Sequence, residues 1–221
     1  MAADRQPEDG PAGRGRRLVL VRHGQTAWNA EGRAQGHADV GLDETGRDQA
    51  EAMAPVVAEV RPDLLVTSDL ARARETAAFL EKAIGMVAEE DPRLREYDTG
   101  ARTGLTRQEF ADRLGPGAAQ SFDVHAHVDA EGAETVAQVG ERLVPALREV
   151  LDRLPEDGTA VVVLHGAAMR VGVAGMLGWP LAAADGLEAM RNCAWAVLRE
   201  RGASRLRLAG WNLGATDVEI S

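Results

Sequence analysis

Basic and histidine side chains stand directly after apolar runs at two distant points of the chain. Arg22 and His23 follow the run at 18–21, and His165 follows the run at 160–164. Short apolar runs rich in Val and Leu are typical of β-strands that are buried on both faces. Because burying ionisable side chains is costly unless they are paired or functional, their position predicts a site.

A third apolar run, at 64–67, ends in Ser68, and Arg72 and Arg74 come early in the helical pattern that follows. Each of these residues alone is more typical of a structural or solvated side chain. In a parallel sheet, however, the carboxyl ends of the strands meet at one edge, where ligands bind. The three strand ends together predict a positive pocket, to which the helix N-termini after each strand add amide donors. Such a pocket suits a dianion, and phosphate is the obvious candidate.

The elements that must position these residues alternate along the chain. Helical patterns cover five stretches, at 43–60, 70–85, 106–115, about 134–154 and 167–178. Strand patterns cover 17–21, 63–68, 159–165, 193–200 and 205–212, with an edge strand within 86–97. This order predicts an α/β fold with a mostly parallel central sheet that is flanked by helices on both faces, in three layers.

Prolines and capping residues predict details of the helices. Pro55 is expected to kink the first long helix or to mark its boundary, and Pro145 is expected to interrupt the helix at 134–154. Gly85 is the expected C-cap of the second helix. Thr106 and Glu109 have the spacing of a capping box.

Composition and length set limits on the class of protein. The chain has 221 residues, of which 45% are hydrophobic and 27% charged, and its formal net charge is -10. These values predict a globular protein and give no support to a nucleic-acid partner. The only cysteine, Cys193, excludes an intrachain disulfide and permits a reducing compartment.

Domain organisation and location follow from the same sequence. Residues 1–15 are polar and rich in Gly and Pro, which predicts a disordered tail without the apolar segment of a signal peptide. Residues 16–221 are expected to form a single domain. No apolar run is long enough to cross a bilayer, so we expect no membrane partner and a cytoplasmic protein. The oligomeric state stays open, and a dimer is one alternative.

Four segments together resemble the signature segments of the histidine phosphatase superfamily, also called the phosphoglycerate mutase-like family. The segments are "VRHGQTAWN" at 21–29, "TSDLARARETA" at 67–77, "RLREYDTG" at 93–100 and "VVLHGAAMR" at 162–170. The resemblance covers about residues 16–180. Its specificity comes from the order and spacing of all four segments, because an Arg-His-Gly triplet alone occurs by chance in many chains.

The resemblance implies a role for each matching residue. His23 would take the phosphoryl group as a phosphohistidine, and Glu96 would be the general acid. The phosphate oxygens would be bound by Arg22, Asn29, Arg72, His165 and the backbone amide of Gly166, where a side chain would crowd them. No metal and no other cofactor is expected, since these donors take the place of a metal.

The chemistry of phosphoryl transfer agrees with these roles. The reaction needs in-line positioning and neutralisation of oxygen charge. Neighbouring arginines disfavour the imidazolium form of His23 and so keep it a neutral nucleophile. The leaving alkoxide needs a proton, and a positioned acid such as Glu96 is worth roughly 10²–10⁴ in rate.

Phosphatases and mutases of this family share the phosphohistidine, so these residues do not separate the two. Cofactor-dependent mutases carry a longer, lysine-containing insertion in the middle, whereas residues 104–133 are short and lack lysine. We therefore expect a phosphomonoesterase whose partner is a small phosphate ester of the sugar or glycerate type. The alternatives are a cofactor-dependent phosphoglycerate mutase and a non-catalytic phosphate-binding module on the same fold. Because the position of Glu96 is filled, the non-catalytic alternative is weaker.

The segment at about 97–135 is expected to form a small cap that contacts the substrate. Many relatives carry a Trp-Glu pair where this chain has Arg102 and Thr103, and this departure favours Arg102 at the rim of the pocket. Gln35 and His37 belong to a loop that would lie beside the pocket and are candidates for substrate contact.

His125 and His127, in "HAH", raise the question of a metal site. Two imidazoles do not complete a zinc coordination shell. We therefore interpret this segment as a polar surface loop and expect no metal there.

Overall fold

The computed structural model describes residues 15–114, 130–201 and 205–215. Its helices are α1 (Ala27–Ala30), α2 (Glu44–Ala58), α3 (Ala71–Ile84), α4 (Arg107–Leu114), α5 (Val136–Asp152) and α6 (Gly166–Met176). Its strands are β1 (Arg17–Arg22), β2 (Leu64–Thr67), β3 (Glu89–Glu90), β4 (Thr159–Leu164), β5 (Trp195–Arg201) and β6 (Arg205–Leu213). Short 3₁₀ turns lie at Pro92–Leu94, Gly100–Arg102 and Leu181–Gly186. Two predictions fall outside the described residues: nearly all of the disordered tail and the segment with His125 and His127.

Within these ranges, six strands form one sheet in the order β3-β2-β4-β1-β5-β6. The first four of these strands are parallel to one another. Strand β5 runs antiparallel to β1, and β6 runs antiparallel to β5. The prediction of a mostly parallel sheet with helices on both faces is therefore confirmed. No helix in the described ranges combines the length and the apolar character that crossing a membrane requires.

Strand β1 lies in the middle of the sheet and contributes to the core on both faces. Leu18 and Leu20 pack into the cluster that includes α5 and α6, whereas Val19 and Val21 pack into the cluster that includes α2 and α3. Side chains alternate between the faces of a strand, which explains why this run has no polar residue. Burial on both faces fixes the end of β1, where Arg22 and His23 stand.

The prediction that Pro145 interrupts its helix was wrong, and Pro55 does not mark a helix boundary; a kink at Pro55 stays a prediction. Helix α5 runs without a break through Pro145, and α2 passes Pro55 and ends at Ala58. Both prolines are exposed, so the carbonyl that each leaves without an amide partner can be solvated by water. Packing of the buried face of each helix then outweighs one lost hydrogen bond.

The predicted caps are confirmed. Gly85 ends α3 in the left-handed conformation with φ 77°. The amide of Thr106 donates to Glu109 Oε2, and the amide of Glu109 donates to Thr106 Oγ1. Local chemistry alone determines such caps, which is why the sequence predicts them.

Candidate active site

A cavity of about 170 Å³ lies at the carboxyl edge of the parallel strands. Five of the seven predicted site residues line it, namely Arg22, His23, Asn29, Arg72 and Glu96. The other two, His165 and Gly166, stand at the end of β4 and the start of α6 and do not line the cavity. Two larger surface cavities, of about 490 and 470 Å³, have no histidine among their described lining residues.

His23 is almost fully buried, with 3% of its surface exposed. Its Nδ1 lies 2.7 Å from the carbonyl oxygen of Gly24. A carbonyl only accepts hydrogen bonds, so Nδ1 carries the proton and Nε2 keeps its lone pair. Burial, together with the charges of Arg72 and Arg22, holds the pKa of His23 well below 6.5. The imidazole is therefore a neutral nucleophile at physiological pH.

Arg72, in the first turn of α3, is fully buried. Its Nη1 and Nη2 donate to the carbonyl oxygens of Ala38 and Gly36, each at 2.8 Å, and its Nε donates to His165 Nδ1 at 3.2 Å. Burial lowers the pKa of Arg72 to about 10, against the opposing effect of Glu96, so the side chain stays charged at neutral pH. Three of its five N–H groups are used, and the remaining two belong to Nη1 and Nη2.

Arg22 is the last residue of β1, and its Nη1 donates to the carbonyl of Met190. Its Nε is buried and has no hydrogen-bond partner among the described residues. Burial lowers the pKa of this arginine, and Glu96 opposes the shift. A buried donor without a partner costs about 1–3 kcal/mol, a cost that an anionic ligand in the cavity would remove.

His165 is fully buried beside His23, and the centroids of the two rings are 5.2 Å apart. Its Nδ1 accepts from Arg72, so its Nε2 carries the proton and donates to Ser68 Oγ at 2.9 Å. Burial and the charge of Arg72 hold the pKa of His165 well below 6.5. Both ring nitrogens are therefore engaged within the protein, and a direct phosphate contact of His165 stays a prediction.

Glu96 lies at the N-terminus of α6. Its Oε1 accepts from the amides of Tyr97 and Ala168, at 3.0 and 2.8 Å, and its Oε2 accepts from the amide of Ala167 at 3.0 Å. Of the first three amides of α6, only that of Gly166 has no acceptor among the described residues. The carboxyl group is thereby oriented, and Oε2, with one bond, is the oxygen with more capacity left for a proton.

Arg22 gives a second reason for glycine at position 166. A Cβ there would lie 3.1 Å from Nε and 3.2 Å from Cδ of Arg22. A side chain at this position would therefore press on Arg22, and crowding of bound phosphate oxygens stays a prediction.

Asn29 combines a structural bond with a free amide group. Its Oδ1 accepts from the amide of Thr26 at 3.2 Å as part of the capping box of α1. This bond assigns the oxygen to the cap and leaves Nδ2 for the cavity. Asn192, which sequence reasoning missed, donates through its Nδ2 to the carbonyl of His23 at 3.0 Å and to Asn29 Oδ1 at 3.4 Å. The only signal for it was a polar side chain just before the buried strand β5.

The predictions for Arg102, Gln35 and His37 have different outcomes. Arg102 is fully buried, so its predicted place at the rim is wrong; the 3₁₀ turn Gly100–Arg102 directs the side chain into the protein. Gln35 lines the cavity, and its Oε1 has no partner among the described residues. His37 donates through Nε2 to the carbonyl of Glu96 at 2.9 Å.

The cavity thus combines an unprotonated imidazole nitrogen, the guanidinium groups of the half-buried Arg22 and the fully buried Arg72, and a carboxyl group. Such a set can bind a dianion, attack it and exchange a proton with a departing oxygen. In the described part of the chain, no group of three or more His, Cys, Asp or Glu side chains is arranged to hold a metal ion.

Comparison with known proteins gives consistent results. The model of the histidine phosphatase superfamily (branch 1) matches residues 18–214. Glucosyl-3-phosphoglycerate phosphatase of Mycobacterium tuberculosis is 38% identical over 216 residues, which cover 91% of this chain and 96% of that protein. The "Probable phosphoglycerate mutase GpmB" of Serratia proteamaculans is 35% identical over 180 residues, which cover 80% of this chain and 81% of that protein. A solved structure of mycobacterial glucosyl-3-phosphoglycerate phosphatase with VO3 has a TM-score of 0.81 and 37% identity, covering 89% of this chain and 98% of that one.

Proposed function

Because the chain belongs to the histidine phosphatase superfamily (branch 1), we propose that it is a phosphomonoesterase that hydrolyses glucosyl-3-phosphoglycerate through a phosphohistidine at His23. A relative of that name is 38% identical over nearly the whole chain, and a solved structure of the same name shares the fold. The prediction of a phosphomonoesterase that acts on a sugar-type phosphate is confirmed. The exact ester and the residue roles belong to the proposal.

One observation carries the proposed mechanism. The bond from Nδ1 of His23 to the Gly24 carbonyl leaves Nε2 unprotonated, and the side chains of Arg22 and Arg72 line the same cavity. A neutral nucleophile next to fixed positive charge is what attack on a phosphate dianion needs.

In the first step, Arg22, Arg72 and the Asn29 amide hold the phosphate oxygens. His23 Nε2 attacks phosphorus and forms an N–P bond as the bond to the ester oxygen breaks. Glu96 gives a proton to that oxygen, so that an alcohol leaves rather than an alkoxide. The guanidinium groups are in place before the reaction and therefore stabilise the developing charge without reorganisation.

In the second step, water attacks the phosphohistidine, and the Glu96 carboxylate takes one of its protons. The N–P bond breaks, its electron pair returns to Nε2, and inorganic phosphate leaves. His23 and Glu96 are then back in their starting protonation states. The ordered amides around the Glu96 carboxyl keep the group oriented in both steps.

The selectivity for the ester is assigned to the predicted cap at about 97–135. Tyr97 and Thr99, at the start of this region, line the cavity next to Glu96. The proposal also includes a single domain over 16–221 and no cofactor. It includes a cytoplasmic location, because a dianionic ester does not cross a hydrocarbon bilayer unaided.

The test is turnover by the purified protein in the presence of a chelator. We expect hydrolysis of an aryl phosphate, and the highest kcat/KM in a panel of phosphate esters for glucosyl-3-phosphoglycerate. His23→Ala is the matched control and should show no turnover above background. Equal rates for the wild type and this variant at every pH from 5 to 8 would rule out the proposed nucleophile.

Rapid quenching supplies a second readout. We expect an acid-labile, base-stable phosphoprotein, whereas a label on serine would contradict the role of His23. The mutase alternative is tested with 3-phosphoglycerate in the presence of 2,3-bisphosphoglycerate. Interconversion faster than hydrolysis would favour the mutase, the activity named for the Serratia relative. The names of the relatives speak against a non-catalytic phosphate-binding module.

A further inference from the structure

The segment that carries Glu96 has almost no regular structure of its own. It lies between the 3₁₀ turns Pro92–Leu94 and Gly100–Arg102, and residues 95–98 belong to no helix or strand. A proton donor must be held within a fraction of an ångström of its target. The position of Glu96 must therefore come from contacts with other elements.

One side chain of α5 supplies three of these contacts to the backbone. Arg142 Nη1 donates to the carbonyls of Arg93 and Arg95, at 2.9 and 2.8 Å, and Nη2 donates to the carbonyl of Glu96 at 2.8 Å. A single guanidinium group thus binds three of four consecutive carbonyls. Because the guanidinium is rigid and planar, these bonds fix the path of the backbone through Glu96.

Glu134 holds the Arg142 guanidinium in place from the opposite side. Its Oε1 accepts from Arg142 Nε at 2.8 Å, and its Oε2 accepts from Nη2 at 2.7 Å, which forms a bidentate pair. The same Oε2 accepts from the amide of Asp98 at 2.8 Å. The side chains of Arg142 and Glu134 are each only 19% exposed. The pair therefore clamps the segment on both sides of Glu96.

We propose that Arg142, held by Glu134, is a positioning residue for proton transfer by Glu96. The inference rests on the proposed function, in which Glu96 protonates the leaving oxygen. Arg142 is not among the residues that line the cavity, and its hydrogen bonds go to the carbonyls at 93–96 and to Glu134. It acts on the reaction only by fixing the backbone from which the Glu96 carboxyl reaches the ester.

The leaving group distinguishes this role from general support of the fold. An alkyl phosphate releases a strongly basic alkoxide and depends on the general acid, whereas 2,4-dinitrophenyl phosphate releases a weakly basic phenolate and does not. Loss of folded protein or of phosphate binding slows both substrates by the same factor. Loss of proton transfer slows only the alkyl substrate.

The experiment measures kcat/KM for glycerol 3-phosphate and for 2,4-dinitrophenyl phosphate in wild type, Arg142→Ala, Glu134→Gln and Glu96→Gln. For Arg142→Ala we expect a loss of roughly 30- to 100-fold on the alkyl substrate and less than about threefold on the aryl substrate, part of the 10²–10⁴ that a general acid supplies. Glu134→Gln should give a smaller loss of the same kind, about tenfold. Arg148→Ala is the control, since Arg148 is an exposed arginine on the same helix with one long bond, 3.5 Å, to the Met176 carbonyl.

The outcomes separate the two proposals. If Glu96→Gln slows both substrates equally, the role of Glu96 is wrong and the inference fails with it. If Glu96→Gln shows the leaving-group dependence but Arg142→Ala slows both substrates equally, only the inference fails. Should Arg142→Ala not fold, as judged by its thermal transition, Glu134→Gln decides, and an alkyl-to-aryl ratio within twofold of wild type overturns the positioning role.

Discussion

The two halves of the site are built in opposite ways. The strand-end half consists of Arg22, His23, Arg72 and His165, which follow strands or begin the next helix. The loop half consists of Glu96 and the irregular segment around it. The first half is held by the sheet and by its own side-chain bonds, and the second by Arg142 of α5 and by Glu134, which lies just before that helix.

This difference matches what each half does in the proposed reaction. The strand-end half neutralises charge on oxygens that hardly move, so a rigid sheet edge suits it. The loop half must serve different leaving groups, and loops vary more easily than strands. Damage to the first half should therefore affect every substrate, and damage to the second should depend on the ester.

The strongest test of the strand-end half is Arg72→Ala. Because Arg72 binds two loop carbonyls and His165 while lining the cavity, we expect a loss of roughly 10³-fold in kcat/KM, the same for alkyl and aryl phosphates. Arg74→Ala is the matched control, since this exposed arginine lies two residues away on α3. If the loss of kcat/KM in Arg72→Ala depended strongly on the leaving group, the proposed difference between the two halves would be wrong.

Gly36 joins the two halves, and Gly36→Ala should damage both. A Cβ at this position would lie 2.3 Å from Thr99 Oγ1 and 2.9 Å from the Thr99 amide nitrogen, and φ is 51°. The carbonyl of Gly36 also binds Arg72. We expect a loss of roughly 2–3 kcal/mol in unfolding free energy and at least tenfold in kcat/KM, measured by denaturant titration and kinetics.

Gly32→Ala is the control for the Gly36 variant. Gly32 has a similar φ of 67°, but a Cβ there has nothing within 4 Å. Gly32→Ala should lower the unfolding free energy by only about 1 kcal/mol, which is the strain of an alanine in the left-handed conformation. Equal effects of the two variants would show that Gly36 matters for its φ alone and does not connect the halves.

A fall in pH should destabilise the protein first through the histidines of the strand-end half. His23 and His165 have pKa values well below 6.5 when folded, so both stay neutral while the unfolded chain takes up protons below that pH. The free energy of unfolding is insensitive to these groups above pH 6.5. Below it, stability should fall by about 1.4 kcal/mol per pH unit for each histidine.

Denaturant titrations at pH 7.5, 6.5 and 5.5 measure this fall, and His23→Gln should remove about half of it. An identical fall in the wild type and in the variant would mean that His23 does not carry the effect. Carboxylates paired with arginines, such as Asp69 and Glu200, titrate at still lower pH because their pKa values are lowered by Arg95 and Arg16.

The smallest effect is expected at Asn192, which ties the carbonyl of His23 to the side chain of Asn29. Asn192→Ala should lower kcat/KM by about three- to tenfold, since the cost of one lost hydrogen bond is near 1 kcal/mol. Because Asn192 holds the backbone of His23, a residue of the strand-end half, its loss should affect alkyl and aryl substrates alike. A loss confined to alkyl substrates would assign Asn192 to the loop half instead.

The sequence predicted the two halves unequally. Buried strands such as that of Leu18–Val21 have a clear pattern, and strand ends at a parallel edge bring Arg22, His23 and His165 close together by topology alone. Glu96 itself followed only from the resemblance to a family. The Arg142–Glu134 pair has no signature, because an arginine eight residues from a glutamate on an amphipathic helix is typical of a solvated face. Pro145 was misjudged for a related reason, since the outcome depended on which face of α5 became exposed.

The bonds that hold Arg72 have a consequence for the end of each turnover. Its guanidinium group is fixed by acceptors of the protein itself, so we expect the cavity to keep the same shape for the ester and for the free inorganic phosphate that remains after hydrolysis. A site this rigid should bind inorganic phosphate, the second product, as firmly as it binds the phosphate group of the ester. The protein should therefore be subject to competitive product inhibition, and its rate should follow the phosphate level of its surroundings as well as the supply of substrate.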